Sequence, residues 1–120
     1  MDSKSRKLIE RRARLLRRLA GLQLAVHGSY VERFSTCARE RCACHRGEKH
    51  GPRAYVVVYR EGRQRQVYVP KDQVRAVQRA LRQDTQAQEL IRQITDINLA
   101  LMRAGVLAES FVPQSQEESR

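Results

Sequence analysis

All three cysteines of this chain, and two of its three histidines, fall within the fourteen residues from Cys37 to His50. Thiolate and imidazole are the ligands that a four-coordinate zinc ion takes, and such an ion can fold a loop that has no core of its own. The spacing, C-x4-C-x-C-x5-H through Cys42 and Cys44, differs from common zinc fingers, and His45 is a second candidate nitrogen. Buried thiols, or one disulfide with a spare thiol, are the alternatives, but the clustering with histidine favours a metal. Because four protein ligands leave no position for a catalytic water, we predict a structural site.

Length and composition leave room for only a modest core. The 120 residues are enough for one domain, 41% of them are apolar, and the chain has no Trp. A metal ion would compensate for such a core. The odd number of cysteines and the absence of an apolar N-terminal run favour a reducing, cytoplasmic location. No stretch reaches the apolar length of a membrane span, so we expect no membrane association.

The net charge of +11 favours a polyanionic partner, and nucleic acid is the simplest one. Residues 1–26 carry eight Lys or Arg against two acidic residues, and residues 27–69 carry nine against four. Residues 70–120 carry seven of each sign and are therefore neutral. The first two thirds of the chain are predicted to form the electrostatic surface.

Residues 1–27 are predicted to be a basic N-terminal helix, which spans residues 4–26 and ends at Gly28. Its apolar residues recur at helical spacing, but Arg12 interrupts the stripe, so the first turns are expected to be exposed or frayed. Three arginines three and four positions apart share one face, which is either simply solvated or lies along phosphates. These arginines are Arg11, Arg14 and Arg18.

Residues 28–70 are predicted to form the zinc-binding β domain. The segments 54–60 and 65–69 are rich in β-branched and aromatic residues and form a hairpin, and 30–35 is expected to pair with it in an antiparallel sheet. Strand alternation separates Tyr55 and Tyr59 from the intervening Val56 and Val58, but which of the two faces covers the core stays open. Three arginines at the hairpin tip are candidate nucleic-acid contacts. They are Arg60, Arg63 and Arg65.

Residues 71–105 are predicted to be helical, either as one long helix or as two with a break near the polar stretch 82–88. The apolar positions Ile91, Ile94 and Leu101, with Asn98 among them, fit a coiled-coil seam in a homodimer. Packing against the N-terminal helix of the same chain is the preferred alternative. Residues 106–120 are polar and contain Pro113, so a disordered tail is expected.

A series of short motifs runs through the middle of the chain. They are Gly28-Ser29, Glu32-Arg33-Phe34, Cys37, Cys42 with Cys44, His50-Gly51-Pro52, Tyr55, Gly62-Arg63 and Val69-Pro70-Lys71. In this order, over about residues 28–100, they resemble a family of small bacterial proteins known only as a domain of unknown function and often encoded among mobile elements. The resemblance leaves the basic N-terminal helix outside, and it implies no activity. It implies that the metal ligands are Cys37, Cys42, Cys44 and His50.

These features predict an α+β protein in which a zinc-stapled sheet lies between helical segments. No catalytic motif is recognisable, so an enzyme is not expected. We predict a zinc-stabilised nucleic-acid-binding accessory protein, with DNA favoured over RNA, that is associated with the nucleoid and linked to a mobile element. The alternative is an adaptor whose C-terminal helices dimerise or dock a recombinase or transposase. Arginines and tyrosines together on one open face of the hairpin would favour nucleic acid.

Overall fold

The computed structural model describes residues 1–113 and confirms the predicted α+β class. Two helices flank a three-stranded antiparallel sheet in the chain. The helices are α1 (Ser3–Ala20) and α2 (Val74–Arg103), and the strands are β1 (Ser29–Ser35), β2 (His50–Arg60) and β3 (Arg63–Val69). Two short 3-10 helices, Ala43–Arg46 and Lys71–Gln73, precede β2 and α2.

The chain divides into two compact units. Residues Leu24–Thr85 form one unit, which contains the sheet and the first part of α2. Within the described residues, 1–23 and 86–113 form the other unit, which contains α1 and the rest of α2. Because α2 is continuous through the polar stretch 82–88, the single long helix is the correct one of the two alternatives.

Helix α1 ends earlier than the sequence pattern predicts. It is capped at its N-terminus by Asp2, whose carboxylate accepts a 2.8 Å hydrogen bond from the Ser5 backbone N–H. This bond lowers the pKa of Asp2. The helix stops at Ala20, and the N–H of Gly21 bonds back to the last turn. Glycine disfavours the helix interior, and it ends α1 although the apolar spacing continues to Val26. The prediction of a helix to residue 26 was therefore wrong.

The helical unit buries a small aliphatic core. Its buried residues include Leu15 of α1 and Leu90, Ile97 and Leu101 of α2, and Ile94 packs against them. Ile94 and Leu101 therefore pack within one chain, which is the alternative preferred from the sequence, whereas Ile91 is 45% exposed. The coiled-coil homodimer stays a prediction.

Arg12 is a structural residue of the helical unit, contrary to the expectation that it leaves the first turns exposed. Its guanidinium donates to the Asn98 side-chain oxygen at 2.9 Å and to the Ser110 hydroxyl at 3.0 Å, and also to the Ser110 carbonyl. Ser110 is only 1% exposed although it lies in the predicted disordered tail. Turns occupy residues 107–110, and residues 114–120 of that tail lie outside the described residues.

The sheet has the strand order β1-β2-β3 with antiparallel neighbours, which confirms the predicted hairpin and its pairing with the first strand. Glu61 and Gly62 both have positive φ (52° and 75°) and join β2 to β3 in a two-residue turn. Such turns match the right-handed twist of paired strands. Strand β1 reaches β2 only as far as the Ser29–Val57 pair, so the hairpin beyond Val57 is two-stranded.

Helix α2 covers one face of the sheet. Ala54, Val56 and Val69 are buried there, and Val74 and Val77 of α2 pack against them. Since successive residues of a strand point to opposite faces, Tyr55 and Tyr59 lie on the face away from α2. The contact with α2 thus shows that the face carrying Val56 covers the core, which strand alternation alone left open.

Candidate metal centre and nucleic-acid surface

The four predicted ligands are brought together at one end of the β1–β2 strand pair. Cys37 follows β1, and His50 is the first residue of β2. Because β1 and β2 are antiparallel, the end of one lies beside the start of the other, and Ser35 pairs with His50. Cys42 and Cys44 come from the connecting loop, where a 3-10 helix begins at Ala43.

The ligand atoms lie at distances that suit a tetrahedral ion. The three sulfurs and one ring nitrogen of Cys37, Cys42, Cys44 and His50 all fall within 4.8 Å of one another. The Cys37 and Cys44 sulfurs are 3.7 Å apart, and the Cys42 sulfur is 3.2 Å from His50 Nε2. Zinc–sulfur bonds at tetrahedral angles place two sulfurs about 3.8 Å apart. The cluster could therefore hold a metal ion with four protein ligands.

His45, the second candidate nitrogen, lies outside this cluster. Its Nε2 is 2.8 Å from the Cys37 carbonyl oxygen, and Nε2–H is the donor because a carbonyl can only accept. The ring is therefore held by the loop backbone. This leaves His50 as the candidate nitrogen ligand, in agreement with the set that the family resemblance implies.

Backbone N–H groups stabilise negative charge on two of the sulfurs. A hydrogen bond from the Cys44 backbone N–H is the largest cause that lowers the pKa of Cys42, to about 6. Burial raises the pKa of Cys44, although the Cys37 N–H donates to its sulfur at 3.2 Å. Because metals bind thiolates rather than thiols, these N–H groups favour the ligating form of the loop.

Gly51 fits a position next to His50 where a side chain would not fit. Its φ is +131°, and a Cβ there would lie 2.8 Å from the Arg33 carbonyl oxygen and 3.2 Å from Phe34. The pairing of β1 with β2 shifts register at this point, between Arg33 and Ser35. A glycine thus allows β1 and β2 to approach closely beside the ligand loop.

The three predicted contact residues at the hairpin tip are exposed but lie on a different face from the tyrosines. Arg60 pairs with Arg63, and Arg65 pairs with Val58. Paired residues share a face, so all three belong to the face that carries Val56. The structure does not bring these arginines together with the tyrosines.

The opposite face carries a group of aromatic and basic residues that we name the tyrosine face. The Tyr55 and Tyr68 rings meet edge to face with centroids 5.8 Å apart. Tyr68 is 53% exposed and Tyr59 is 73% exposed. Register pairing places Arg33 and Arg53 beside them. The tyrosine face consists of Arg33, Arg53, Tyr55, Tyr59 and Tyr68.

Arg33 and Arg53 were not among the sequence-predicted contacts. Arg33 reaches across β2, where its Nε donates to the Gln66 side-chain oxygen at 3.1 Å. The alternation of side chains along β1 is the signal for Arg33, because Arg33 is two residues from Val31 and so shares a face with Val31 and its partner Tyr55. That signal is readable only once the register between β1 and β2 is known.

The predicted phosphate contacts of α1 are free in solvent. Arg11, Arg14 and Arg18 are exposed, and none of them forms an ion pair within residues 1–113. By contrast, Arg92 of α2 pairs with Glu89 and Asp96. The α1 arginines thus carry charge that no described acidic residue neutralises.

These observations define a small α+β protein with a Cys3His cluster suited to a metal ion. Residues 5–79 match the family described as "Domain of unknown function (DUF6788)", and the chain belongs to that family. The match includes most of α1, so the expectation that the N-terminal helix lies outside the family was wrong. No curated protein and no solved structure matches the chain. Within residues 1–113, no helix combines the length and apolarity needed to cross a membrane.

Proposed function

We propose that this protein is a zinc-stabilised DNA-binding accessory protein. The observation that carries the proposal is the tyrosine face, because exposed tyrosines and arginines share one face of the sheet while α2 covers the other. Aromatic side chains and cations on one open surface are typical of nucleic-acid recognition. The net charge of +11 supports a polyanionic ligand.

Zinc is the metal that best fits the cluster. Three thiolates and one imidazole that can surround one ion favour zinc over the hard cations, which prefer oxygen ligands. With all four positions taken by protein atoms, the ion has a structural role, which is to hold the loop between β1 and β2. Cationic residues of that loop add to the basic surface. They are Arg39, Arg41, Arg46 and Lys49.

The N-terminal helix is proposed to contact phosphates, and the hairpin tip to contribute sequence preference. Exposed arginines without acidic partners release counterions when they bind phosphates, so they confer affinity for all sequences alike. The two-stranded tip beyond Val57 is narrow enough for a major groove, where Arg63 and Arg65 would meet base edges. A link to a mobile element is part of the proposal and rests on the family resemblance.

The test measures binding of the full chain to duplex DNA at several salt concentrations by fluorescence anisotropy. Changing Arg11, Arg14 and Arg18 to Gln should weaken binding to all sequences and lower the slope of log affinity against log salt by about three. Changing Arg92, whose charge is already paired, to Gln is the control and should leave the slope within about one unit of wild type. Changing Arg63 and Arg65 should cost about 1–3 kcal/mol on a selected site and less elsewhere. Absence of binding to any nucleic acid at low salt would contradict the proposal.

The alternative function, an adaptor, is favoured by one observation in the helical unit. An apolar hollow there is lined by residues that include Ile9, Leu16 and Phe111, and Phe111 is 73% exposed. Exposed apolar surface of this kind is typical of protein contacts. The partner would be a recombinase or transposase, or a second copy of the chain. If the protein does not bind nucleic acid, the adaptor hypothesis replaces the DNA-binding hypothesis.

A further inference from the structure

We propose that the tyrosine face binds single-stranded DNA by stacking bases on its rings. This inference rests on the proposed function, since it names the form of nucleic acid that one of its surfaces takes. The ligand is recognised through the flat faces of unpaired bases and through its phosphates.

The first step of the argument is that Tyr59 has no evident structural role. Its cross-strand partner is Gln64, and it is 73% exposed. The Tyr59 hydroxyl forms no hydrogen bond within residues 1–113. The Tyr30 hydroxyl, by contrast, donates one to Glu32. Cross-strand packing does explain Tyr55 and Tyr68, which pair directly. Tyr59 therefore exposes most of an aromatic ring to solvent, where a base can reach it.

The second step concerns the spacing of the rings. Tyr55 and Tyr59 are four residues apart on β2 and on the same face, which separates them by about 13 Å along the strand. The face thus offers two stacking positions, one at Tyr59 and one at the Tyr55–Tyr68 pair. Arg53 lies at the end nearer the pair, and Arg33 reaches across β2 to Gln66, the partner of Val57, between the two positions. Both arginines can neutralise phosphates of the same strand.

The third step excludes a duplex at this face. Bases within a duplex are covered by their neighbours, so their flat faces cannot reach a tyrosine ring. Around Tyr55 and Tyr68 the sheet is three-stranded, and its backbones span about 10 Å before side chains are counted, so this part of the face is too wide for a major groove about 12 Å wide. A single strand lying across the sheet meets neither obstacle.

Stacking and phosphate contacts require only bases and phosphates. No 2′-hydroxyl is needed for either, so DNA satisfies every contact that the face offers. RNA offers the same bases and phosphates, so we assign single-stranded DNA because the proposed function is DNA binding, and RNA of matching sequence becomes one arm of the test.

The experiment uses the zinc-loaded full chain with a labelled fifteen-nucleotide thymidine oligonucleotide, the uridine equivalent and a hairpin duplex. Tyr59→Ala should weaken binding of the thymidine strand by about 5- to 100-fold. It should change duplex binding less than about twofold, because the proposed duplex contacts come from α1 and from Arg63 and Arg65, which lie on the opposite face of the hairpin. Tyr59→Phe keeps the ring and should bind within about threefold of wild type. Val67→Ala removes an exposed apolar residue from the opposite face, and is the control.

A second measurement reports stacking directly. The chain has no Trp, so Tyr59→Trp introduces a single tryptophan at the proposed position, and its emission can be excited separately from that of the remaining tyrosines. Stacking on a base should quench its emission when the thymidine strand is added, whereas Val67→Trp on the other face should change little. Equal quenching in both variants would overturn the assignment of the face.

The outcomes separate this inference from the proposed function. Duplex binding without single-strand binding would overturn the inference and leave DNA binding intact. Equal loss of single-strand and duplex affinity in Tyr59→Ala would also overturn it. At least tenfold tighter binding of the uridine strand would overturn the assignment to DNA. Binding of neither form would overturn the proposed function itself.

Discussion

His45 and His50 show how the same side chain acquires two roles in one loop. The ring of His50 meets the Cys42 sulfur, whereas the ring of His45 bonds to the Cys37 carbonyl. Composition alone could not separate them, because both lie close to the cysteines in sequence. Only His50 starts a strand that returns beside Cys37, and that return depends on strand pairing.

We predict different metal contents for the two histidine variants. Wild type purified without chelator should carry about one zinc per chain. His50→Ala and Cys42→Ser should lose most of it, whereas His45→Ala should retain it because its ring is not a ligand. Elemental analysis by mass spectrometry measures the stoichiometry. Loss from His45→Ala with retention in His50→Ala would reverse the assignment, and a folded wild type without zinc would refute the metal site.

Arg12 illustrates a residue whose partners lie far away in sequence. The interrupted apolar stripe suggested exposure, but the residues that receive its hydrogen bonds are 86 and 98 positions further along the chain. A helical periodicity describes only neighbours within the helix. It could not reveal that Asn98 and Ser110 lie beside α1.

Replacing Arg12 is expected to destabilise the helical unit. Arg12→Met keeps the aliphatic stem but leaves the buried groups of Ser110 without their donor, which typically costs about 1–3 kcal/mol. The matched change Arg11→Met alters an exposed residue and should shift stability by less than about 0.5 kcal/mol. Urea unfolding followed by circular dichroism compares the two. Equal stabilities would show that the Arg12 hydrogen bonds contribute nothing.

At the scale of elements, the sequence predicted what local chemistry determines and missed what tertiary contact determines. The hairpin was predictable because its strands are β-branched and its turn contains Gly62. The covered face was not predictable, because Val56 and Val57 place valines on both faces. The end of α1 was missed because Leu22 and Val26 continue the apolar period after Gly21. The three cysteines of the cluster could be predicted because they lie close together in the sequence, whereas the choice of His50 over His45 came from the family resemblance.

Helix α2 provides a test of whether its apolar seam serves one chain or two. Ile94 packs in the core of the helical unit, and Ile91 on the same helix is 45% exposed. Ile94→Asp should lower the free energy of unfolding by about 2–5 kcal/mol, because it introduces a charge into a packed site. Ile91→Asp should change it little. Sedimentation equilibrium adds the second readout, since dissociation of a dimer by Ile91→Asp would instead favour the coiled coil.

At the scale of the whole molecule, two units of different character share one chain. Four side chains and an ion are proposed to hold the loop of the sheet unit, whereas aliphatic packing between α1 and α2 holds the helical unit. Each unit should therefore respond to a different perturbation. This difference follows from composition, because no single large core is available to a chain with so few aromatic residues.

Removal of the metal is expected to act locally. A chelator should raise amide hydrogen exchange in residues 37–49, which depend on the ion for their fold. Exchange in α1 and in residues 86–103 should stay close to that of the untreated protein. Hydrogen exchange followed by mass spectrometry resolves the segments. Uniform loss of protection would show that the ion stabilises both units together, and no change in the loop would refute its structural role.

The pairing of Ser35 with His50 closes the ligand loop through the backbone of the sheet, not through the ligand side chains. Closing a flexible loop of this length costs about 2 kcal/mol in chain entropy, and the strands meet that cost when they pair. The paired strands therefore hold the two ends of the loop together, and the ion has to order only the loop residues between Ser35 and His50. Metal affinity should consequently depend on residues that never touch the metal. A substitution that separates β1 from β2, such as one at Gly51, would weaken zinc binding although every thiol is still in place. The reason is that the ends of the loop would no longer be held together, which lowers the effective concentration of the ligands.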